Sequence, residues 1–156
     1  EELFSRLKTY LEKYQKDFYE NVFSKKSDEY NKKIVRELQT RLKRFDEYID
    51  LTGFFYTDAN IRKDLLVNPK MKIESESDAI ESLRFLFPIL KTADYSDFEN
   101  FKNDILPKIA ESGRKNGQAL WPLRVALSGE QFSPGAFELA YILGRDETVN
   151  RVKKYL

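Results

Sequence analysis

The residues with the clearest chemical potential lie between positions 117 and 137, in the run GQALWPLRVALSGEQFSPGAF. Arg124 is the only charged residue in the apolar first half of this run. Ser133 and Pro134 follow, and Ser at an N-cap with Pro after it is a strong signal for the start of a helix. The run therefore predicts a helix that carries Arg124, a sharp stop at Ser128 and Gly129, and a second helix capped by Ser133. An arginine and the N–H groups at a helix start both suit anionic or hydrogen-bond-accepting partners.

Catalytic chemistry has no candidate residues in this sequence. The chain contains no Cys and no His, which removes thiolate nucleophiles, disulfides, and the commonest general base and metal ligand. Carboxylates are plentiful, but they fall on helix faces and form no metal-ligand cluster with other residues. We therefore predict no catalytic residue, no metal site and no cofactor in this chain.

The composition indicates a chain of near-neutral net charge with no predicted membrane span. There are 156 residues, with 27 Lys and Arg against 26 Asp and Glu, so a nucleic-acid site would depend on where the charges lie. No apolar stretch is long enough to span a bilayer. We expect a soluble, cytoplasmic protein, and because the first residue is Glu we expect a fragment of a longer chain.

Apolar residues recur at spacings of three and four, which predicts an all-α fold. One helix is predicted from Glu1 to about Ser24. A second is predicted from Asp28 to about Asp50, with its N-cap at Ser27–Asp28 and a stop at Gly53. Further helices are predicted after Ser75 or Ser77, after Asp94, from 117, from 134 and after an Asp146 cap. A soft boundary near Lys91 divides the chain into two helical subdomains, residues 1–92 and 93–156.

The segment from Asp28 to Asp50 is predicted as the most basic helix of the chain. Arg41 lies at the border of its apolar stripe, so this side chain would be held firmly enough to read the edge of a base. The alternative is a solvated helix face on which Glu37 pairs with Arg41, which stabilises a helix by only a few tenths of a kcal/mol.

Three other features have two interpretations each. The adjacent aromatics Phe54, Phe55 and Tyr56 could stack on bases, but such a cluster more often fills a core between helices. Trp121 is also expected in the core. The loop from Gly113 to Gly117 carries two cations that could meet phosphate, or it could be a solvated linker.

The C-terminal run PLRVALSG…SPGAFELAYILGRDETVNRVKKYL resembles the end of bacterial-type glutamyl-tRNA synthetases. Their pattern runs PLR-x-AL-[ST]-G, then [ST]-PG, then LLG and a last helix. The segment TRLKRFDEYIDLTGFFY is similar to the same family more loosely. The ATP-binding signatures of the family are absent, so the resemblance covers only the region after its catalytic core. It implies two α-helical subdomains that form a cage over the anticodon loop of glutamate tRNA.

The resemblance implies a site residue by residue. Arg124 matches the family arginine that contacts the anticodon, and Ser133 and Pro134 match the residues that line the same site. Ala136 stands where the family often has Leu, so the resemblance does not carry over a side-chain packing contact at this position. The alternative for Arg124 is a buried arginine paired with a carboxylate such as Glu138.

A second set of cations follows from the looser part of the resemblance. Arg41 matches a family arginine that reads the third anticodon base, and Arg44 competes with it for that role. Lys43, Arg44, Arg114 and Lys115 are the expected phosphate contacts. If Arg41 is the base-reading residue, it favours a form that discriminates glutamate tRNA from glutamine tRNA.

The resemblance implies an RNA-binding region that recognises the anticodon loop of glutamate tRNA. A catalytic domain elsewhere in the parent chain, a class I glutamate–tRNA ligase, would then attach glutamate with ATP and Mg²⁺. The expected partners are this tRNA and that catalytic domain, with no membrane, and the expected state is a monomer. The alternative is a helical scaffold for protein–protein interaction. RNA binding further predicts that Arg41 and the Arg124–Ser133 pair face a common groove.

Overall fold

The computed structural model describes residues 1–156 and contains nine α-helices, four short 3₁₀ turns and no β-strand. The all-α prediction is thus confirmed. The chain divides into two compact units, Glu1–Thr57 and Asp58–Leu156. No helix combines the length and the hydrophobicity that a membrane crossing requires.

Four helices form the first unit. They are α1 (Glu2–Tyr14), α2 (Lys16–Asn21), α3 (Asp28–Leu38) and α4 (Tyr48–Tyr56). The predicted cap at Ser27 is confirmed, since its side chain accepts a hydrogen bond from the backbone N–H of Tyr30 at 3.1 Å. The predicted single helix from Glu1 to Ser24 is wrong, because the backbone leaves the helical region at Gln15 (φ −130°, ψ 50°).

The predicted helix from Asp28 to Asp50 is also interrupted. It ends at Leu38, and the chain returns to helical structure only in a 3₁₀ turn at Phe45–Glu47. The carboxylate of Glu47 accepts hydrogen bonds from the backbone N–H groups of Lys43 and Arg44 at 3.3 and 3.2 Å. This side chain satisfies donors that a continuous helix would have used, so it stabilises the break.

Helix α4 passes through Gly53 and continues to Tyr56, so the predicted stop at that glycine is wrong. Phe54 and Phe55 are buried, which confirms that the aromatic cluster fills a core. The Tyr56 hydroxyl shares a hydrogen bond with that of Tyr48 at 2.6 Å and donates to Asn31 Oδ1 at 2.8 Å. Burial raises the pKa of both phenols above the ordinary tyrosine value.

Five helices form the second unit. They are α5 (Glu76–Thr92), α6 (Phe98–Glu111), α7 (Asn116–Ser128), α8 (Ala136–Leu143) and α9 (Arg145–Lys153). Ser75 caps α5, and the Asp78 side chain bonds back to the Ser75 N–H, which is a capping box. Helix α5 packs against α7 and α9. It therefore belongs to the second compact unit, Asp58–Leu156. The sequence placed a boundary between two functional subdomains near residue 92, and that boundary stays a prediction.

Two predicted helix caps in the second unit have different outcomes. Gly129 ends α7 in the left-handed conformation (φ 64°, ψ 20°), as predicted. Asp146 does not cap α9, because Gly144 is the N-cap and Asp146 lies in the first turn. The predicted cap lies two residues after the observed one, and the Asp146 carboxylate still complements the positive end of the helix.

Candidate nucleic-acid interface

The side chain of Arg124 is held in place by the loop that follows its own helix. Its Nε donates to Ser133 Oγ at 2.8 Å, and its Nη2 donates to the Ser133 carbonyl at 3.0 Å. Its guanidinium carbon lies 5.5 Å from the centre of the Trp121 ring, one helical turn earlier. Arg124 is half-buried, so its planar group is oriented while part of it remains at the surface.

Ser133 has a different role from the predicted helix cap. Helix α8 begins at Ala136 with Gly135 as its N-cap. The Ser133 hydroxyl instead accepts from Arg124 and donates to the carbonyl of Pro134 at 2.8 Å. The cap prediction is wrong because the arginine, nine residues earlier in the chain, competes successfully for the hydroxyl oxygen.

The start of α8 already has a negative neighbour. The carboxylate of Glu138 occupies the space where a side chain on Gly135 would lie. An acidic side chain in the first turn complements the positive helix end. A neutral acceptor, such as a base carbonyl, is therefore a better partner for this end of the helix than a phosphate.

The loop between α7 and α8 is fixed at its start. The Ser128 hydroxyl donates to the Arg124 carbonyl at 2.8 Å and accepts from the Glu130 N–H at 3.1 Å. At Gly129, a Cβ would lie 2.5 Å from the carbonyl oxygen of Asn60. Glycine is required here both for its positive φ and for this close backbone approach. The loop that holds Arg124 is therefore itself held rigidly.

The remaining predicted residues of this site differ in exposure. Pro134 and Ala136 are buried, so any role of theirs is to shape the pocket wall. Trp121, expected in the core, is half-buried and donates from Nε1 to the Leu65 carbonyl at 2.9 Å. Phe132 is 82% exposed. The sequence reasoning missed this ring, although an aromatic residue between Gln131 and the predicted cap was a visible signal.

The three cations of the first unit that the sequence predicts as RNA contacts lie in the break between α3 and the 3₁₀ turn. Arg41, Lys43 and Arg44 are exposed, and Arg41 is in a turn instead of on the predicted helix face. Lys43 Nζ donates to the Thr40 carbonyl at 3.2 Å, and Arg44 forms an ion pair with Asp46. A turn of three exposed cations can follow a phosphate backbone.

The predicted loop before α7 is shorter than expected and partly ordered. Arg114 is half-buried, with its guanidinium carbon 4.4 Å from the centre of the Phe85 ring. Lys115 is exposed and is the N-cap residue of α7, where its N–H donates to Gln118 Oε1 at 3.4 Å. Of these two cations, Lys115 is the better placed for a phosphate contact.

The structure thus brings together the residues predicted around Arg124 within the second unit: Arg124, Ser133 and Pro134, with Ala136 at the start of α8. Arg41, Lys43 and Arg44 form a separate group in the first unit, and the common groove stays a prediction. No three side chains that could hold a metal ion lie together.

The class of protein follows from comparison with known families. Residues 2–156 match the family described as anticodon binding domain. The chain therefore belongs to this family.

Within the family, the chain is homologous to the anticodon-binding region of glutamate–tRNA ligases. It is 36% identical over 137 residues to the glutamate–tRNA ligase of Clostridium acetobutylicum, covering 87% of this chain and 28% of that protein. The corresponding enzyme of Clostridium novyi is 37% identical over 144 residues, covering 90% of this chain and 29% of that protein. The chain thus spans little more than a quarter of the length of these relatives.

Solved structures support the same fold. A glutamate tRNA ligase from Elizabethkingia meningosepticum superimposes with a TM-score of 0.73 over 99% of this chain and 28% of that chain, at 23% identity. The glutamate-tRNA synthetase of Elizabethkingia anophelis gives a TM-score of 0.69 over 96% of this chain and 28% of that chain, also at 23% identity. At this level of identity, the likeness supports the fold alone.

Proposed function

We propose that this chain recognises the anticodon loop of glutamate tRNA, with Arg124 as its principal base-reading residue. Membership of the anticodon-binding family supports RNA binding over a protein-interaction scaffold. The observation that carries the residue assignment is the fixed geometry of Arg124 between Ser133 and Trp121. Single-stranded loops expose base edges and faces, and these are the groups that an oriented arginine can bond or stack on.

The pocket around Arg124 would act by pre-organisation. The guanidinium is already ordered by two hydrogen bonds to Ser133, so less conformational entropy is lost when a base binds. Pro134 and Ala136 would form the apolar wall beside it. Since Ala136 is smaller than the Leu common in the family, we propose that it supplies space more than a packing contact.

The cations outside this pocket would bind the RNA backbone. Lys43 and Lys115 are exposed and Arg44 lies in the same turn as Lys43, which suits phosphate contacts. The guanidinium of Arg114 lies over the Phe85 ring, so its contribution to phosphate binding would be a positive charge held near the start of α7. Arg41 is the proposed reader of the third anticodon base, with Arg44 as its competitor.

The parent protein would be a glutamate–tRNA ligase of the cytoplasm. Its remaining part would hold ATP, Mg²⁺ and the catalytic residues, while the present chain would take no direct part in the chemistry and would bind no cofactor. We propose the catalytic domain as the second partner of this chain, and a monomeric parent. The support is that this chain matches a segment that makes up about a quarter of the length of such enzymes.

Arg124→Ala tests the assignment. We expect binding of a labelled glutamate tRNA transcript to weaken by about 1–3 kcal/mol, the range for a lost specific contact to a base. Fluorescence anisotropy measures this, with circular dichroism as the check that the variant is folded. A transcript with an altered anticodon should bind the wild-type chain more weakly than the native transcript does. It should bind the wild type and Arg124→Ala with similar affinity.

Arg145→Ala is a matched control in the same unit. This variant removes one positive charge, as Arg124→Ala does. Like Arg124, Arg145 donates a hydrogen bond to a backbone carbonyl, that of Ala93 at 2.7 Å, and lies beside an aromatic ring, that of Tyr95. We expect this variant to bind both transcripts as the wild type does. If the wild-type chain does not distinguish the two transcripts, or if the two variants lose affinity equally, Arg124 is not a base-reading residue.

A further inference from the structure

A cleft on the first unit combines aromatic rings with cations. It is shallow and open to solvent, lies between α1 and the 3₁₀ turn at Phe45, and has a volume of about 440 Å³. The ring centres of Tyr10 and Tyr14 are 5.0 Å apart, and those of Tyr10 and Phe45 are 5.6 Å apart. Three rings therefore form one connected aromatic surface along the cleft.

The helical register of α1 explains why this surface faces outward. Phe4, Leu7 and Leu11 are buried and form the core stripe of the helix. Tyr10 and Tyr14, four residues apart, lie on a neighbouring face and meet there as an i, i+4 pair. Tyr14 is 60% exposed, so a large aromatic surface remains accessible that packing within this unit does not use.

The charges of the cleft are of one sign. Arg6 and Lys13 line it, and no carboxylate does. The Arg6 guanidinium carbon is 5.9 Å from the centre of the Phe45 ring, and Lys13 Nζ is 5.0 Å from that of Tyr14. Aromatic rings interleaved with cations are the combination by which proteins bind single-stranded nucleic acid, since rings stack on bases and cations contact phosphates.

We propose that this cleft binds one unpaired nucleotide of the RNA, with its base stacked on Tyr14 and its phosphate between Arg6 and Lys13. The inference rests on the proposed RNA binding and adds a second contact region to it. Stacking tolerates any base, because every base has a π-face. The cleft therefore adds affinity, whereas sequence discrimination comes from the base-reading arginines, chiefly Arg124.

Tyr14→Ala in the whole chain tests the cleft. We expect the affinity for a glutamate tRNA transcript to fall roughly 5- to 150-fold, which is the loss of one base–aromatic stack. The fall should be the same for the transcript with an altered anticodon. Tyr14→Phe keeps the ring and should keep the affinity.

Two further measurements separate the possible outcomes. Lys13→Gln should weaken binding and lower its salt dependence, whereas Lys16→Gln, at a residue with a 74% exposed side chain outside the cleft, should do neither. A transcript with 4-thiouridine in its unpaired positions should photo-crosslink to the peptide around Tyr14.

If Tyr14→Ala binds RNA as the wild type does while Arg124→Ala is impaired, the cleft inference is overturned, and the anticodon assignment stands. If the wild-type chain binds no RNA in the same assay, the proposed function itself fails.

Discussion

The two units of this chain hold their candidate recognition arginines in opposite ways. In the second unit, Arg124 is half-buried, bonded twice to Ser133 and placed beside Trp121. In the first unit, Arg41 and Arg44 are exposed and lie in a turn between a helix and a 3₁₀ segment. One unit presents an arginine that is ordered in advance, and the other presents arginines that RNA would have to order.

Affinity and selectivity should therefore arise in different units. An ordered planar donor loses little entropy on binding and accepts only partners of fitting geometry. An exposed arginine in a turn can follow a phosphate backbone of variable shape, but holding it in one geometry costs side-chain entropy. We therefore expect strong, base-dependent effects from the second unit and weaker effects from the exposed turn of the first unit.

The loop that orders Arg124 should be the most sensitive part of the second unit. Gly129→Ala places a Cβ against the Asn60 carbonyl at a residue with positive φ, which should destabilise the second unit by about 2–4 kcal/mol. Urea unfolding followed by the fluorescence of Trp121, the only tryptophan, measures this. RNA binding should fall with it.

Gly53→Ala is the matched control in the first unit. Gly53 lies inside α4, and nothing lies within 4 Å of an added Cβ. Alanine is the better helix former, so we expect a stabilisation of roughly 0.5–1 kcal/mol. Equal effects at the two glycines would mean that the loop is not rigidly held.

The next effect concerns the core of the first unit. Tyr56→Phe removes the middle hydroxyl of the chain from Tyr48 to Asn31. It leaves buried polar atoms short of a partner, so the unit should lose about 1–3 kcal/mol. Circular dichroism during urea unfolding measures this, and the exposed Tyr14→Phe should stay within about 0.5 kcal/mol of the wild type.

The same core predicts an alkaline limit of stability. Burial raises the pKa of Tyr48 and Tyr56 in the folded chain, whereas an unfolded tyrosine has a pKa of about 10. Their contribution to the free energy of unfolding is therefore fully present below pH ~10, and it is lost as the pH rises through the folded-state pKa values. Tyrosinate absorbance should show these two phenols ionising only as the first unit unfolds. If all the tyrosines ionise near pH 10 without unfolding, the phenols are not sequestered.

The smallest expected effects are those of the exposed arginines. Arg41→Ala should weaken binding of glutamate tRNA by roughly 1 kcal/mol, and more for the native anticodon than for an altered one. Arg44→Ala should weaken both equally and reduce the salt slope by about 1, as a lost phosphate contact does. Anisotropy titrations at several salt concentrations distinguish the two, and the reverse pattern would exchange their roles. Neither change should alter stability by more than about 0.5 kcal/mol, since exposed ion pairs contribute little.

Much of the fold could be predicted because its signals are local. The caps at Ser27 and Ser75 and the stop at Gly129 each depend on a side chain or a φ angle within a few residues. The family resemblance located Arg124 and its neighbours for the same reason, since PLR and SPG are short motifs. The aromatic face of Tyr10 and Tyr14 was equally visible in its spacing, but spacing alone does not show which aromatic stripe is buried.

The amino-acid sequence is sufficient to identify the all-α class and the segment around Arg124 that we propose for base recognition, and its lack of Cys and His excludes their chemistry. The hydrogen bonds of Ser133 and the local structure around Arg41 depend on contacts that exist only in the folded chain. The Ser133 hydroxyl accepts a hydrogen bond from Arg124 and does not cap α8. The Glu47 carboxylate accepts hydrogen bonds from the N–H groups of Lys43 and Arg44, which are therefore not part of a helix. In both cases a side chain competes with the local helical pattern for the same polar group. Propensity describes only the local partner, whereas the packed fold determines which partner lies within hydrogen-bonding distance.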